Sequence, residues 1–307
     1  MCGYQPNAVF FIEIGNTVNT MPSCITHQLI AEKAKSGFPQ EVKEAAEKHP
    51  DYFFLGAQGP DALFFIKPLS KKEWNLGRYL HRYDVILVFS FFREYLSRII
   101  DQTELEQLTA YAAGFLCHYG GDITFHPYIY AYLKAHGRRG MMHQQIETDW
   151  DTYFARLEGK NAVGWKFPVS AKKIVREGVL YRLYRGLSLT LKRFPLKKRT
   201  FDRGIKRFLF YLRFFHRVSH AKFWQRAERL FGISPKLSCL YPRETVDRTS
   251  IESEEFFDLS QQKGRNADEL FSLAVSESNT LCNLFFKGNA LERSVFHKSY
   301  LSGTEVK

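Results

Sequence analysis

The sequence lacks long hydrophobic runs and paired cysteine motifs, and these absences exclude several classes of protein. The longest apolar stretch of note, residues 85–92, is much shorter than the roughly 20 residues of a membrane-spanning helix. The five cysteines are scattered and form no Cys-x-x-Cys pair, which indicates reduced thiols rather than a disulfide framework. No basic residue precedes Lys33, so the N-terminus does not have the pattern of a secretory signal. We therefore expect a cytoplasmic protein, with any membrane association peripheral.

The chain also lacks internal repeats and low-complexity tracts, and almost nothing in it has the pattern of a β-strand. Its composition, 45% hydrophobic and 25% charged, is that of a globular protein. The sequence therefore predicts an all-α fold. Helices are predicted at residues 23–35, 39–47, 62–66, 85–100, 102–121, 143–157 and 266–286, with long amphipathic helices over 170–229 that break near Phe194 and Pro195. A polar excursion is expected over 233–265, and a loose tail over 294–307.

Two pairs of metal-ligand residues share a four-residue spacing between residues 110 and 147. His118 precedes Asp122 by four positions, and His143 precedes Glu147 by four. On a helix, residues four apart lie about 40° apart around the axis, so each pair shares one helix face. Imidazole and carboxylate groups arranged in this way suit zinc, because their nitrogen and oxygen donors can converge on one point. The alternative is a pair of amphipathic helices with hydrogen-bonded core histidines.

A third histidine, His126, lies between the two pairs and immediately before Pro127. Proline disfavours helical geometry at the residue that precedes it, so we expect the first of the two helices to end at His126. Two pairs with another ligand-type residue between them favour a metal site over core histidines.

Three residues earlier in the chain extend the candidate set. His27 lies in the first turns of the helix at 23–35, where its alternative role is to cap the helix or face solvent. Asp61 follows two glycines and a proline, which make a tight turn that fixes the direction of the carboxylate. Its alternative role is to cap the helix at 62–66. His81 lies in a short stretch before the aromatic helix at 85–100.

The charge is distributed unevenly along the chain. Residues 1–160 contain 16 basic and 18 acidic residues, whereas residues 161–307 contain 28 basic and 14 acidic residues. The second half therefore suggests an anionic partner. Within it, residues 170–229 hold 18 Lys and Arg interleaved with aromatics. This region is either a solvated basic face over an aromatic core or an interfacial surface that docks on an anionic membrane.

Eight candidate ligands occur in this order: His27, Asp61, His81, His118, Asp122, His126, His143 and Glu147. Their order and gaps, together with Thr26-His27, the turn from Gly56 to Asp61, and Leu80-His81, resemble the zinc-dependent phospholipase C family over about residues 21–160. The resemblance implies an all-α, multi-helix metal-binding catalytic domain at 21–160. A basic helical C-terminal region would follow at 161–307. Residues 1–20 are expected to be a dispensable extension before a true start at Met21.

The resemblance also implies two or three zinc ions. His81, His118 and Asp122 would hold one ion, with Asp61 beside it as a ligand or as the catalytic general base; His126, His143 and Glu147 would hold a second; and His27 with a bridging Asp122 would hold a third. Secreted family members complete the third site with an N-terminal tryptophan, which this sequence lacks. Cys24, water, or no metal at all are the options there. The other histidines are expected to be structural: His49, His136, His216, His220 and His297.

The function that the resemblance implies is phosphodiester hydrolysis by a zinc-dependent hydrolase. The preferred interpretation is a phospholipase C that acts on a phospholipid and releases diacylglycerol and a phosphorylated headgroup, with no nucleic acid as partner. Two alternatives stay open. One is a single-strand nuclease of the related trinuclear zinc type, for which the basic second half would suit polynucleotide. The other is a non-catalytic, membrane-associated member of the family.

Overall fold

The computed structural model describes residues 24–67, 74–135, 142–217, 221–232, 238–243, 246, 251, 265–288 and 290–304. These residues form helices and connecting loops and contain no β-strand, so the predicted all-α fold is confirmed. The helices of the first half are α1 (Cys24–Ala34), α2 (Gln40–Lys48), α3 (Pro50–Gly56), α4 (Leu76–Leu80), α5 (Val85–Ser97), α6 (Gln102–Ala135) and α7 (Met142–Leu157). Those of the second half are α8 (Ala171–Glu177), α9 (Val179–Thr190), α10 (Lys198–Arg217), α11 (Ala221–Leu230), α12 (Ala267–Lys287) and α13 (Arg293–Phe296). Short 3₁₀-helices occur at Lys35–Gly37, Gly59–Phe65 and Ser238–Leu240.

The long helix α6 lies at the centre of the fold, and α2, α3 and α12 pack along it. Its contact with α3 is unusually close because glycine faces backbone on both sides. A Cβ atom at Gly114 would lie 2.0 Å from the carbonyl oxygen of Phe53, and one at Gly56 would lie 2.1 Å from that of Tyr111. This contact brings the chain that follows α3, which carries Asp61, next to the middle of α6.

The prediction that the first metal-pair helix ends at His126 is wrong. Helix α6 continues through Pro127 to Ala135. Proline cannot donate the hydrogen bond that the Ile123 carbonyl would otherwise accept. The C-terminal segment packs at this point: a Cβ atom at Gly303 would lie 2.5 Å from the Ile123 oxygen and 3.0 Å from the Pro127 ring. Tertiary packing around the defect therefore keeps the helix continuous.

The expected loose tail is also wrong for the residues that the structure describes. Phe296 and Tyr300 are fully buried, at 0% and 1% exposure, and Tyr300 packs on Tyr119 of α6 with ring centroids 4.8 Å apart. The predicted helices at 143–157 and 266–286 are confirmed within one residue by α7 and α12. A capping box between Asn266 and Glu269 begins α12. The predicted break near Phe194 is confirmed, since α9 ends at Thr190 and α10 begins at Lys198.

Helix α10, from the basic half, packs against the 3₁₀-helix Gly59–Phe65. The ring of Phe65 lies 5.5 Å from that of Phe208, and a Cβ atom at Gly204 would lie 2.8 Å from the Ile66 side chain. The division at residue 160 stays a prediction, and the expected extension at 1–20 lies outside the described residues. Among the described helices, none has both the length and the hydropathy needed to cross a bilayer.

Replacing Gly303 by alanine should destabilise the protein more than the same change at Gly159. Both glycines have left-handed backbone conformations, with φ of +65° and +67°, so each change incurs a similar conformational cost. Only Gly303 also meets a neighbouring atom, because a Cβ atom at Gly159 would have nothing within 4 Å. We expect Gly303→Ala to lower the free energy of unfolding by about 1–3 kcal/mol more than Gly159→Ala, measured by urea denaturation. Equal losses would show that the tail does not pack on α6.

Candidate metal centre

The structure brings all eight predicted ligand residues together in the interior. Helix α6 supplies three of them, at positions 118, 122 and 126, which form one stripe along its face because they are spaced by four. The other five are His27 on α1, Asp61 in the 3₁₀-helix Gly59–Phe65, His81 directly after α4, and His143 and Glu147 on α7. Four other segments thus converge on one stripe of α6.

The Asp122 carboxylate is the centre of the cluster. Its Oδ1 atom lies 3.2 Å from His27 Nε2, and its Oδ2 atom lies 3.3 Å from His118 Nε2. Oδ2 also lies 3.6 Å from His126 Nδ1 and 3.8 Å from His81 Nε2. One carboxylate on α6 therefore touches imidazoles from α1, from α6 itself and from the segment after α4.

Asp61 lies near two of the same imidazoles, at the same Nε2 atoms. Its Oδ1 atom lies 3.0 Å from His81 Nε2, and its Oδ2 atom lies 3.8 Å from His118 Nε2. The turn before Asp61 requires a glycine at position 59, where φ is +51° and a Cβ atom would lie 2.1 Å from His118 Cδ2. The predicted tight turn therefore places Asp61 by letting the backbone lie directly on the His118 ring.

A third group lies between α6 and α7. Glu147 Oε1 is 3.0 Å from His143 Nε2 and 3.6 Å from His126 Nε2. Among the eight side chains, that of His143 is the most accessible, with 21% exposure, whereas that of His118 has 0%. The centre therefore opens to solvent on the His143 side.

The ligand atoms form three groups, and within each group they all lie within 4.8 Å of one another. The groups are His27, His118 and Asp122; Asp61, His81 and His118; and His126, His143 and Glu147. Two ligands about 2.1 Å from one tetrahedral zinc ion are separated by about 3.4 Å. The distances of 3.0–3.8 Å across the cluster match that separation.

Two backbone carbonyls orient imidazoles in the cluster. His81 Nδ1 donates to the Gly77 carbonyl at 2.7 Å, and His126 Nδ1 donates to the Tyr300 carbonyl at 2.7 Å. When Nδ1 carries the proton, Nε2 of the neutral ring has its lone pair directed at the cluster. These carbonyls therefore select the tautomer in which Nε2 can bind a metal.

Several buried polar atoms in the cluster make no hydrogen bond of acceptable geometry with any residue that the structure describes. They are both ring nitrogens of His118, Nδ1 of His27, Oδ2 of Asp61 and Oδ2 of Asp122. Buried polar groups are rarely left in this state unless a water or an ion satisfies them. Imidazole nitrogens and carboxylate oxygens are the donors that zinc takes, so these residues fit a zinc cluster.

The electrostatics of the cluster also suit a cation. Burial opposes ionisation of Asp122, but His118 and His126 hold the pKa of this carboxyl well below its usual value. Burial likewise opposes protonation of His126, but Asp122 and Glu147 raise the pKa of its imidazole to about 9. Burial lowers the pKa of His118. The Asp122 carboxylate therefore stays ionised and draws positive charge into the interior.

Two supporting residues were not predicted from the sequence. One is Tyr300, whose carbonyl orients His126. The other is Asp151 on α7, which accepts hydrogen bonds from the backbone N–H groups of Ile25 at 3.1 Å and Thr26 at 2.7 Å. It caps the start of α1, the helix that carries His27, and burial raises the pKa of Asp151 to about 7. The sequence feature that could have identified Asp151 is its four-residue spacing from Glu147.

Cys24 and the histidines that were expected to be structural are not among the eight clustered residues. Cys24 is buried but belongs to none of the three groups of ligand atoms found among the described residues. His49 lies 3.2 Å from Glu106, outside the cluster. His216 donates from Nδ1 to the Leu212 carbonyl at 2.8 Å, and burial lowers the pKa of its imidazole to about 4. His297 is buried in the segment after α13, whereas His136 and His220 lie outside the described residues.

Comparison with known proteins gives one finding. A family model described as zinc-dependent phospholipase C matches residues 26–214, which is more than half of the chain. The match includes all eight clustered residues and extends past residue 160 through most of α10. Neither the curated proteins nor the solved structures gave a match.

Zinc binding at pH 7 should release a proton from His126. In the metal-free protein its pKa of about 9 keeps the imidazole protonated at pH 7, and zinc binds only the neutral ring. The affinity for zinc should therefore rise between pH 7 and about pH 9. Titration calorimetry at pH 7 in two buffers of different ionisation enthalpy should give heats that depend on the buffer. A heat that does not depend on the buffer would contradict this expectation.

Replacing Asp151 by alanine should lower both stability and zinc content. Loss of the cap should cost about 1–2 kcal/mol of unfolding free energy, and the start of α1 should then hold His27 less firmly. Ser170→Ala is the matched control, because it removes the side chain that caps α8, outside the cluster. It should reduce stability and leave the zinc content unchanged in elemental analysis. If both variants kept all their zinc, Asp151 would have no role in placing His27.

Proposed function

The chain belongs to the zinc-dependent phospholipase C family, and on that premise we propose that it hydrolyses a phospholipid to diacylglycerol and a phosphorylated headgroup. Membership of the family supports metal-dependent hydrolysis of phospholipid in general. The single observation that carries the finer proposal is the convergence of three buried carboxylates and five histidines into adjoining groups of ligand atoms.

We propose that the cluster holds two or three zinc ions. Two of the groups share His118, and the third lies near Asp122 through His126, whose Nδ1 atom is 3.6 Å from Asp122 Oδ2. The position at His27 is supported by its contact with Asp122 and by its ring, whose centroid lies 4.3 Å from that of His118. Water is the favoured remaining ligand there, because Cys24 lies in none of the three groups.

The proposed hydrolysis depends on both the metal and the side chains of the cluster. When bound, zinc supplies a Lewis acid for the phosphoryl oxygens and lowers the pKa of a water molecule to about 7. Asp61 is the proposed general base. Its Oδ1 atom is held by His81 at 3.0 Å, whereas its Oδ2 atom has no hydrogen bond among the described residues and can accept a proton from the attacking water.

The substrate is proposed to enter on the His143 side, where the cluster is most accessible. The rings of Tyr300 and Phe64 pack on His81, with centroids 5.1 Å and 5.0 Å from it, and shield its ring from water. An attacking water and the phosphate would therefore meet between Asp61 and the open side of the cluster.

Separate substitutions of Asp122 and Asp61 should distinguish a role in metal binding from a role in catalysis. Asp122→Asn should lose zinc and activity together, because Asp122 contacts imidazoles of all three groups. Asp61→Asn should keep most of its zinc and lose about 10²–10⁴-fold in rate if Asp61 is the base. Zinc is measured by elemental analysis, and rate by hydrolysis of a short-chain phosphatidylcholine that stays monomeric in solution.

Asp268→Asn is the control for both changes, because Asp268 is exposed at the start of α12, where it accepts a hydrogen bond from Tyr153. It should keep both zinc and rate. Loss of zinc from Asp61→Asn equal to that from Asp122→Asn would make Asp61 a ligand instead of the base. Cleavage of single-stranded DNA without cleavage of phospholipid would establish the nuclease. Failure on both substrates, with fewer than two zinc ions per chain, would indicate a non-catalytic family member.

A further inference from the structure

A cleft of about 900 Å³ lies between the start of α8 and the outer face of α10, away from the metal centre. Twelve residues line it, contributed by α8, α10, the segment before α8 and the start of α3. None of them belongs to the ligand cluster. The cleft combines cationic and apolar side chains.

The cleft has a strong excess of positive charge. Four cations line it: Lys172, Arg176, Lys206 and Arg213. The only acid among the lining residues is Asp51, and both of its oxygens are engaged, one by the backbone N–H of Ser170 and the other by Lys173 Nζ at 3.2 Å. Lys172 and Lys206 have no acidic partner among the described residues. The cleft is therefore suited to an anion.

The floor and edge of the cleft are apolar. Val169 and Leu209 are buried at its base, and Phe210 stands at its edge with 56% exposure. The ring of Phe210 stacks on that of Phe214, which is 41% exposed, at a centroid distance of 5.9 Å. Exposed aromatic rings next to cationic side chains suit an anionic membrane surface, where the rings can contact the acyl boundary and the cations can contact the headgroups.

The cationic surface continues along α10. Arg199, Arg203, Lys206, Arg213 and Arg217 are all exposed, and with Phe210 between Lys206 and Arg213 they form a stripe spaced by three or four residues, as expected for one face of a helix. A second hollow of about 560 Å³ adjoins Lys206 and is lined also by Lys198, Arg199, Asp202 and Arg203. The opposite face of α10, with Phe208 and Tyr211, packs on Phe65 next to the turn that carries Asp61.

We propose that this cleft and the outer face of α10 form a docking site for anionic phospholipid at a membrane surface. The headgroup phosphate lies among Lys172, Arg176, Lys206 and Arg213, and Phe210 and Phe214 enter the interface. The proposal rests on the proposed function, because a phospholipase must hold its metal centre at the membrane that contains its substrate. The charge pattern of residues 170–229 indicated a basic surface, and the proposal names anionic phospholipid as its partner.

The apolar part of the cleft favours lipid over nucleic acid. Single-stranded nucleic acid is held by aromatic rings on which separate bases stack. Here the exposed rings of Phe210 and Phe214 stack on each other, and the remaining apolar lining residues are aliphatic: Pro168, Ala171 and Val175, which are at least partly exposed, and the buried Val169 and Leu209. These aliphatic side chains can contact hydrocarbon, but none of them is an aromatic ring on which a base could stack.

The test measures binding of the full zinc-loaded chain to phosphatidylcholine vesicles with and without phosphatidylglycerol, by rapid mixing before hydrolysis proceeds. Binding should require the anionic lipid and weaken with salt. Lys172→Gln combined with Lys206→Gln should weaken binding by about 30-fold, given the contribution of each cation near an anionic surface. Lys35→Gln combined with Lys287→Gln removes the same charge elsewhere and should weaken it by less than about threefold.

A second pair of variants tests the apolar contact. Phe210→Ala should weaken binding to the anionic vesicles, whereas Leu157→Ala, at 58% exposure against 56% for Phe210, should not. Equal effects of the two charge pairs, no effect of Phe210→Ala, or tighter binding of single-stranded DNA that the Lys172 and Lys206 changes abolish would overturn the proposal.

Hydrolysis of monomeric short-chain phosphatidylcholine separates this proposal from the proposed function. All four variants should hydrolyse that substrate at the rate of the unchanged protein, because it needs no membrane. If no variant hydrolyses it but vesicle binding follows the expected pattern, the proposed function fails and the docking site stands. If hydrolysis is normal but binding ignores the cleft, the docking site fails and the proposed function stands.

Discussion

The structure depends on the burial of the Asp122 carboxylate in the middle of a helical core. An ionised carboxylate costs several kcal/mol to remove from water unless opposite charge and hydrogen-bond donors surround it. Asp122 is only 3% exposed, and imidazoles from three segments of the chain face its two oxygens. The arrangement of α1, the segment after α4, and α6 is therefore set by the need to surround one negative charge, which is also what a cation requires.

The sequence predicts the parts of this centre that depend on local spacing. Four-residue spacing placed His118 with Asp122 and His143 with Glu147, because a helix of regular pitch turns such spacing into a shared face. The turn before Asp61 was predictable from its glycines and proline. The spacing alone does not give the approach of that turn to His118, which depends on the close packing of α3 on α6.

The parts that could not be predicted depend on residues far apart in the sequence. Pro127 predicts the end of a helix when only its neighbours are considered, yet Gly303 packs on the carbonyl that proline leaves without its usual donor. Tyr300 contributes its backbone carbonyl, which carries no residue-specific signal. Asp151 acts on α1, whose residues lie about 125 positions earlier. In each case the partner is known only once the fold is known.

The hydrogen bond from His126 to the Tyr300 carbonyl joins residues that are 174 positions apart. During synthesis, all eight ligand side chains emerge from the ribosome well before the residue that orients one of them. A growing chain that captured zinc early would therefore do so with the His126 ring unoriented. The His126 ring therefore acquires its orienting hydrogen bond only after the C-terminal segment has folded onto α6.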